Sequence, residues 1–507
     1  MRPFLTSMFA VVVGLAGANR ILADAPLPEI PPVPAITGAN AAPEAPKPDL
    51  PPAAELLPQL FPLSEFAFTD RAPSSPLDSL LSLTTEPVPD PVAATGAPCD
   101  CPPVACPSLP SFGGPLCSRP TLTGNWGGLR PQLAANGLNF NIYETNFFGD
   151  VANGGAQETF QHRGRTDVLA NINGAQAGLW RGSFIDLHAE SIYGRSINPS
   201  AGTLSPVSIA QLVPVPNGNV TALTGVKFTQ FITDQFIVYG GKLNLLDGFN
   251  QPFTGGARGV DGFWNGAMVF NQVLARTLPY STYGFGGAYL QNLQPILSMT
   301  VLDANNTPTT SGFNSFFANG AVLLPQVNIP TNFFGLPGHQ GFLGTWSSKQ
   351  YTPSDRTAFL NVLQGTPLST QSTQGAWSLA YMFDQALYVS PCDPNRKWGM
   401  FGNLGLADTN PSPVRWFANI GLGGASPLRG RPLDTFGMGY YYLGLNSSFK
   451  NLAPATLPLR DENGVEAFYN VGITPWCHIT PDVQFILPAA QRAEWMWFFG
   501  LRAKITF

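Results

Sequence analysis

From residue 497 to its end the chain alternates. Trp497, Phe499, Leu501, Ala503, Ile505 and Phe507 interleave with Phe498, Gly500, Arg502, Lys504 and Thr506. A period of two over eleven residues predicts a β-strand with one apolar and one largely polar face. The same pattern recurs upstream. Val168, Ala170 and Ile172 oppose Asp167, Asn171 and Asn173, and Ile185, Leu187, Ala189 and Tyr193 oppose Asp186, His188 and Glu190. Ile237, Tyr239, Leu243 and Leu245 oppose Lys242 and Asn244. Val414, Trp416, Ala418, Ile420 and Leu422 oppose Arg415, Phe417 and Asn419. Val465, Ala467, Tyr469, Val471 and Ile473 oppose Glu466, Asn470 and Thr474, and Val483, Phe485 and Leu487 oppose Asp482 and Gln484.

Alternation alone also fits a soluble sandwich, so charge decides. Asp, Glu, Lys and Arg make up 11% of the 507 residues, where a soluble domain carries about 25%. A helical membrane protein needs apolar runs of about 20 residues, and none follows the first 25. Aromatics sit near predicted strand ends, as at Trp180, Tyr193 and Tyr440, Tyr441 and Tyr442, where a membrane girdle requires them. Open sheet edges cannot face lipid, so the strands must close. The expected fold class is all-β, a transmembrane antiparallel β-barrel of fourteen to eighteen strands with an aqueous lumen. Glycine-rich stretches at 284–287 and 421–424 are expected at sharp curvature or loops. The net charge of −5 offers no basic excess for nucleic acid.

The first 120 residues differ from the rest. Arg2 followed by an apolar stretch over 4–18 and small residues near 16–18 and 23–25 predicts a cleaved secretory signal over residues 1–25. Residues 26–120 hold 24 of the 50 prolines. Runs such as Pro31-Pro32-Val33-Pro34 exclude helix and sheet interior and favour extended polyproline II. This segment is expected to be a disordered, semi-rigid periplasmic extension, reaching at most roughly 290 Å, with a tethering role to envelope material or a partner protein set against that of a passive spacer. Its short apolar patches at 56–61 and 77–83 are candidate docking points. Export admits disulfides among Cys99, Cys101, Cys106, Cys117, Cys392 and Cys477, with the pairing open. The spacing does not suit zinc. The folded body is expected over 121–507.

Several segments of that body carry a resemblance. Leu122-Thr123-Gly124-Asn125-Trp126-Gly127-Gly128-Leu129-Arg130 resembles the opening of the carbohydrate-selective porin family (OprB-like), where a short helix leads into the first strand. Here Asn125 suits an N-cap, Leu129 and Leu133 are spaced to face the barrel, Gly137 suits the stop, and Pro131 is expected to break the helix early. Residues 239–247 (Tyr-Gly-Gly-Lys-Leu-Asn-Leu-Leu-Asp), 259–267, 274–279 (Leu-Ala-Arg-Thr-Leu-Pro), Glu466-Ala467-Phe468-Tyr469, Thr474-Pro475-Trp476 and Thr480-Pro481-Asp482-Val483-Gln484 resemble later family segments in the same order. Phe485-Ile486-Leu487-Pro488 departs from the pattern. The terminal strand and its aromatic end resemble the assembly signal of outer-membrane barrels. The resemblance implies sixteen strands, an integral protein of the bacterial outer membrane, passive diffusion of mono- or oligosaccharides, no enzymatic activity and no cofactor. It leans towards a monomer.

A sugar pore needs polar groups that replace water and bind weakly enough to release. The inward-face candidates are Asp186, His188, Glu190, Lys242, Asn244, Arg415, Glu466, Asp482, Arg502 and Lys504, with Arg258 and Arg276 drawn from the resembling segments. Each is set against a wall residue paired only for stability. His188 between Asp186 and Glu190 could suggest a metal or acid–base site. Same-face neighbours on a strand are about 6.8 Å apart, so Asp186 and Glu190 stand about 13 Å apart, too far for a glycosidase pair, and no second histidine lies near. A general porin without sugar preference and a secreted β-rich glycan-binding or glycan-cleaving protein are the competing readings.

Overall fold

The computed structural model describes residues 113–248, 251–354, 371–391, 393–450 and 458–507. The signal, most of the proline-rich extension and Cys99, Cys101, Cys106 and Cys392 lie outside them. Of the remaining cysteines, Cys117 is exposed and Cys477 half-buried, both as free thiols.

Alternation becomes sixteen antiparallel strands: β1 (Leu138–Asn153), β2 (Thr159–Asn173), β3 (Ser183–Gly194), β4 (Val220–Thr233), β5 (Phe236–Asn244), β6 (Ser281–Gln291), β7 (Gln294–Asp303), β8 (Ala321–Phe333), β9 (Leu336–Tyr351), β10 (Thr373–Ser390), β11 (Asp393–Ala407), β12 (Val414–Ala425), β13 (Thr435–Leu445), β14 (Glu462–Thr474), β15 (Cys477–Leu487) and β16 (Met496–Thr506). Each pairs with its sequence neighbours, and β1 pairs with β16 in a register placing Tyr143 opposite Thr506 and Phe147 opposite Arg502. The barrel is closed, so every strand edge is satisfied.

The two ends differ. Turns of two residues at 234–235, 292–293, 334–335 and 475–476 close one end, and connections such as 195–219, 251–280 and 304–320 lie at the other. Short periplasmic and long external connections are the rule for bacterial barrels. Outward side chains are apolar and exposed, among them Phe285, Met299, Leu379, Leu404, Ile420 and Leu501. Trp346, Trp377, Trp416 and Trp497 mark the long-loop edge of this band, and Trp180, Phe236, Tyr289 and Tyr388 the other. In the triple Tyr440-Tyr441-Tyr442 only the outer two face outward. Tyr441 is fully buried, with its hydroxyl on Glu462.

At the entrance, Asn125 caps a 3-10 turn over Trp126–Gly128, accepting from the Gly127 amide at 3.2 Å. Helix α1 (Leu129–Ala135) runs through Pro131, which sits in its first turn, where a missing N–H costs nothing. Gly137 ends it at φ 82°. The residue that fastens α1 is not Leu129, which is exposed, but Arg130. Its guanidinium donates to the carbonyls of Phe507 and Phe140, each at 2.9 Å, and to Thr121 Oγ1 at 3.1 Å. In β5 simple alternation fails at the loop end: Lys242, Leu243 and Asn244 are all buried.

Candidate functional site

The lumen is not empty. The 195–219 and 251–280 segments fold into the barrel, where Val207, Ile209, Leu212, Phe263, Trp264, Met268 and Phe270 are almost wholly buried. They pack on inner-wall aromatics. Trp264 meets Phe147 at 5.2 Å and Phe498 at 5.8 Å, and Phe263 meets Phe468 at 4.9 Å and Phe401 at 5.4 Å between ring centres. Each such burial contributes about 1.5–3 kcal/mol. This explains why Phe417 and Phe498 interrupt faces that alternation assigns to water. Of the two places expected for the glycine-rich stretches, loops are excluded, since both stretches lie within strands β6 and β12. A methyl on Gly423 would lie 2.1 Å from the Phe253 carbonyl oxygen, so only glycine lets the inserted backbone reach the wall.

Polar side chains clamp the inserted segments from both sides. From β14, Glu466 accepts the amides of Trp264 (2.5 Å) and Asn265 (3.1 Å), and Glu462 those of Leu204 (2.7 Å) and Ser205 (2.9 Å). From β16, Arg502 donates to the carbonyls of Gly259 (2.9 Å) and Gly262 (3.0 Å), and Lys504 pairs with Asp261. Burial pushes the Asp261 carboxyl up, but Lys504 and then Arg502 pull harder, leaving it below the ordinary carboxylate value. From β2, Arg163 donates to the carbonyls of Val215, Pro216 and Gly218 at 2.9–3.1 Å.

Beside these clamps lies a buried charge network. Arg165 donates to both oxygens of Asp167 (2.7–3.0 Å), to Glu190, and to the loop carbonyls of Ala210 (3.4 Å) and Val213 (3.2 Å). His188 bridges Asp167 (3.0 Å) and Asp247 (2.6 Å), Arg258 stands 4.0 Å from Asp167, and the Tyr280 hydroxyl donates to Glu190 at 2.6 Å. Asn244 donates to Thr224 at 2.9 Å and lies 3.1 Å from His188. Ligand atoms of Asp167, His188 and Glu190 fall within 4.8 Å of one another, but the Arg165 guanidinium already binds both carboxylates and supplies the cation. The arrangement is an ion network and does not suit a metal centre.

The predicted residues therefore separate. His188, Glu190, Asn244 and Arg258 come together in the network. Lys242 is buried beside it, its ammonium 2.8 Å from the Thr310 carbonyl. Asp186 stands apart, half-exposed, 2.6 Å from Asn171 and 3.5 Å from Lys227. Glu466, Arg502 and Lys504 hold the inserted loop. Asp482 accepts from Gln484 at 3.0 Å, next to Glu466. Arg276 donates to the Thr352 carbonyl at 3.0 Å and lies over Tyr351. Arg415 is exposed at a bulge at the long-loop end of β12. Sequence reasoning missed Arg163, Arg165, Asp247, Tyr280 and Glu462. The alternation Arg163-Gly164-Arg165-Thr166-Asp167 carried a signal for the first two.

Residues 157–507 match the family model of the carbohydrate-selective porin, OprB family. Porin B of Pseudomonas aeruginosa is 23% identical over 414 residues, covering 72% of this chain and 86% of that protein. The high-pH structure of OprB from Pseudomonas putida superposes with a TM-score of 0.66 at 20% identity, covering 77% of this chain and 99% of that one. The chain belongs to the carbohydrate-selective porins of the OprB family, integral sixteen-stranded channels of the outer membrane that pass sugars.

Proposed function

We propose that the inserted loops and the network around Arg165 make the channel select neutral, hydroxyl-rich solutes. One observation supports this reading: several of the charges at the narrowed lumen lie in ion pairs of opposite sign. Arg165 serves Asp167 and Glu190, His188 serves Asp247, Lys504 serves Asp261 and Lys227 serves Asp186. Such a wall offers donors and acceptors without a strong field of one sign. An ion then gains little on entry, while a sugar exchanges water for wall hydrogen bonds at small net cost and leaves again. Asp186, Asp247, Asp261, Lys504 and Arg276 are the side chains proposed to meet solute, with Lys242 buried behind them. Glu190, His188, Asn244, Arg258, Glu466, Asp482 and Arg502 are proposed to shape the path from behind, and Arg415 to stand at its outer mouth. The chain acts as a channel. We propose that it performs no chemistry on the sugar, a reading in keeping with the network's carboxylates being engaged by Arg165, His188 and Tyr280.

Liposome swelling tests the reading. Sugars are expected to enter faster than amino acids of similar size, and ionic selectivity in a planar bilayer under a salt gradient is expected to be weak. Equal swelling rates would sink the sugar reading in favour of a general pore. Residues 1–25 are proposed as the export signal and 26–120 as a periplasmic tether. If deleting 26–120 leaves partner pull-down and envelope integrity unchanged, the segment is a spacer.

A further inference from the structure

Residues 426–434 join β12 to β13 at the short-turn end of the barrel. They expose Pro427, Leu428, Arg429, Pro432 and Leu433. Arg431 spends its Nε on Asp434 at 2.8 Å and leaves its side chain 42% exposed. Beside them at the start of β11, Arg396 donates to the Ser426 carbonyl at 3.3 Å, and Lys397 shares the parity of the inward Gly399 and Phe401. Four cations thus stand against two nearby acids, Asp393 and the buried Asp434. Among the described residues, Arg396, Lys397 and Arg429 form no ion pair with a carboxylate. The connection turns towards the lumen. A methyl on Gly472, which alternates with the buried Glu466 and Phe468 on the inner face of β14, would lie 2.5 Å from the Leu433 Cβ, and Asp434 accepts the Gly472 amide at 3.0 Å.

The extension enters the barrel close by. The Leu122 amide donates to the Thr506 carbonyl at the end of β16, and ahead of it Trp476, in the β14–β15 turn, donates its indole N–H to the Leu116 carbonyl at 2.7 Å. The chain before residue 113 therefore leaves from beside β14 and β15, and β14 is the strand that Leu433 meets. Its composition complements the surface. Residues 72–112 hold Asp78, Glu86, Asp90 and Asp100 and no Lys, Arg or His. Within them, 77–90 combine three of those acids with Leu77, Leu80, Leu81 and Leu83, as 426–434 combine cations with exposed leucines. Asp90 precedes Gly113 by 23 residues, which at ~3.1 Å per residue reach up to roughly 70 Å. Three strand spacings from β15 to β12 span only about 14 Å. A segment tethered so near has a high effective concentration, so individually weak surface ion pairs suffice to hold it.

We infer that residues 77–90 of this chain dock on the 426–434 connection and the start of β11, folding back over the rim of the periplasmic mouth. Asp78, Glu86 and Asp90 serve the cations there, and the leucines of the segment cover Leu428 and Leu433. Anionic phospholipid headgroups offer the same charge, but the inward parity of Lys397 and the inward turn of Leu433 place the surface at the mouth and favour the chain's own segment. The docking requires the extension to be periplasmic, as proposed above, and requires no partner protein. Being largely ionic and exposed, it weakens as salt rises.

Photo-crosslinking of the full chain in the outer membrane tests this. Benzoylphenylalanine replaces Leu428, with Phe334 as the control position, an exposed tip at the same end in the β8–β9 turn. Digestion and mass spectrometry of the band at the mass of one chain are expected to find residues 77–90 joined to position 428 and not to 334. A main product with phospholipid, with a different protein or with a second copy, no attachment to 77–90, or equal yields from both positions would overturn the inference. The variant D78K/E86K/D90K lies outside the barrel and is expected to lower the yield about tenfold. Adding K397E/R429E to it is expected to recover most of the loss, in samples whose boiled and unboiled forms still migrate differently. A yield unmoved by the first variant, or a loss that the second leaves in place in a folded barrel, would also overturn it. The readout lies within one chain, so a failed crosslink and a failed partner pull-down are separate results, and neither depends on sugar selectivity.

Discussion

Replacing Arg165 by Met is expected to release the 195–219 loop from the wall. Arg165 is about 1% exposed, as are Asp167 and Glu190. The substitution keeps most of the side-chain volume and removes one guanidinium that serves two carboxylates and two loop carbonyls. Arg165, Arg258 and His188 face the three carboxylates of Asp167, Glu190 and Asp247, and loss of Arg165 leaves two cationic groups against three carboxylates. Removing one partner of a buried ion pair costs about 3–5 kcal/mol. Asp167 would retain His188 at 3.0 Å and Glu190 would retain the Tyr280 hydroxyl at 2.6 Å, which argues for the lower figure, about 3 kcal/mol. Arg163 still holds Val215, Pro216 and Gly218, so the loop is expected to lift at 210–213 and stay tethered beyond. The gel temperature at which folded barrel converts to the unfolded band should fall, and single-channel traces should become noisier as the lifted loop samples the lumen. Arg165→Lys should rescue only part, because an ammonium cannot span both carboxylates and the carbonyls in one plane. Asp186→Asn is the control, since its half-exposed contact with Lys227 at 3.5 Å is worth about 0–1 kcal/mol. If R165M and D186N melt alike and conduct alike, the network does not hold the loop.

Three further outcomes follow from the clamps. Gly423→Val should push the backbone near Phe253 off the wall, because the first added carbon already falls 2.1 Å from its carbonyl oxygen. Limited proteolysis between residues 251 and 280 should then quicken, and unchanged cleavage would refute the contact. Asp261 titrates below the ordinary carboxylate value, so its contribution is complete above about pH 4, where the unfolded group ionises. It is lost only as pH falls through the lower folded value. Conductance should therefore hold steady from neutral pH down to mild acid and change below that, and Asp261→Asn should abolish the acid response. The effect should be modest because Asp261 is 39% exposed. Arg130→Ala removes three charge-assisted hydrogen bonds joining α1 to both ends of the body and should cost roughly 3 kcal/mol or more in urea unfolding. Leu129→Ala, on an exposed side chain, should change stability by about 0.5 kcal/mol or less, and the reverse order would show that the leucine and not the arginine fastens the helix.

What could be read in advance had a local cause. A strand's side chains alternate whatever lies beyond them, so Trp497, Phe499 and Leu501 declare a lipid face and Arg502 and Lys504 an inner one. Alternation does not say what the inner face meets. Arg502 and Lys504 serve Gly259, Gly262 and Asp261, more than 200 residues away, and Glu466 serves Trp264. Those pairings exist because two long connections turn inward, and their inward turn is decided by fit against the wall and not by any short motif. The wall itself carried a muted sign of it. Phe417 and Phe498 are apolar on faces that should be wet, and Gly421 and Gly423 are small where a strand interior prefers bulk. An apolar residue and a glycine on the wrong face of a barrel strand are together the mark of something packed against it. On the inner face that something is the chain's own loops, through Phe253, Phe263 and Trp264. On the outer face of β1–β3 the inverse irregularity, Glu144 amid apolar neighbours and Gly164 beneath Tyr193, escaped the alternation count because Asn141, Ile142, Tyr143, Glu144, Thr145 and Asn146 do not alternate cleanly in hydropathy.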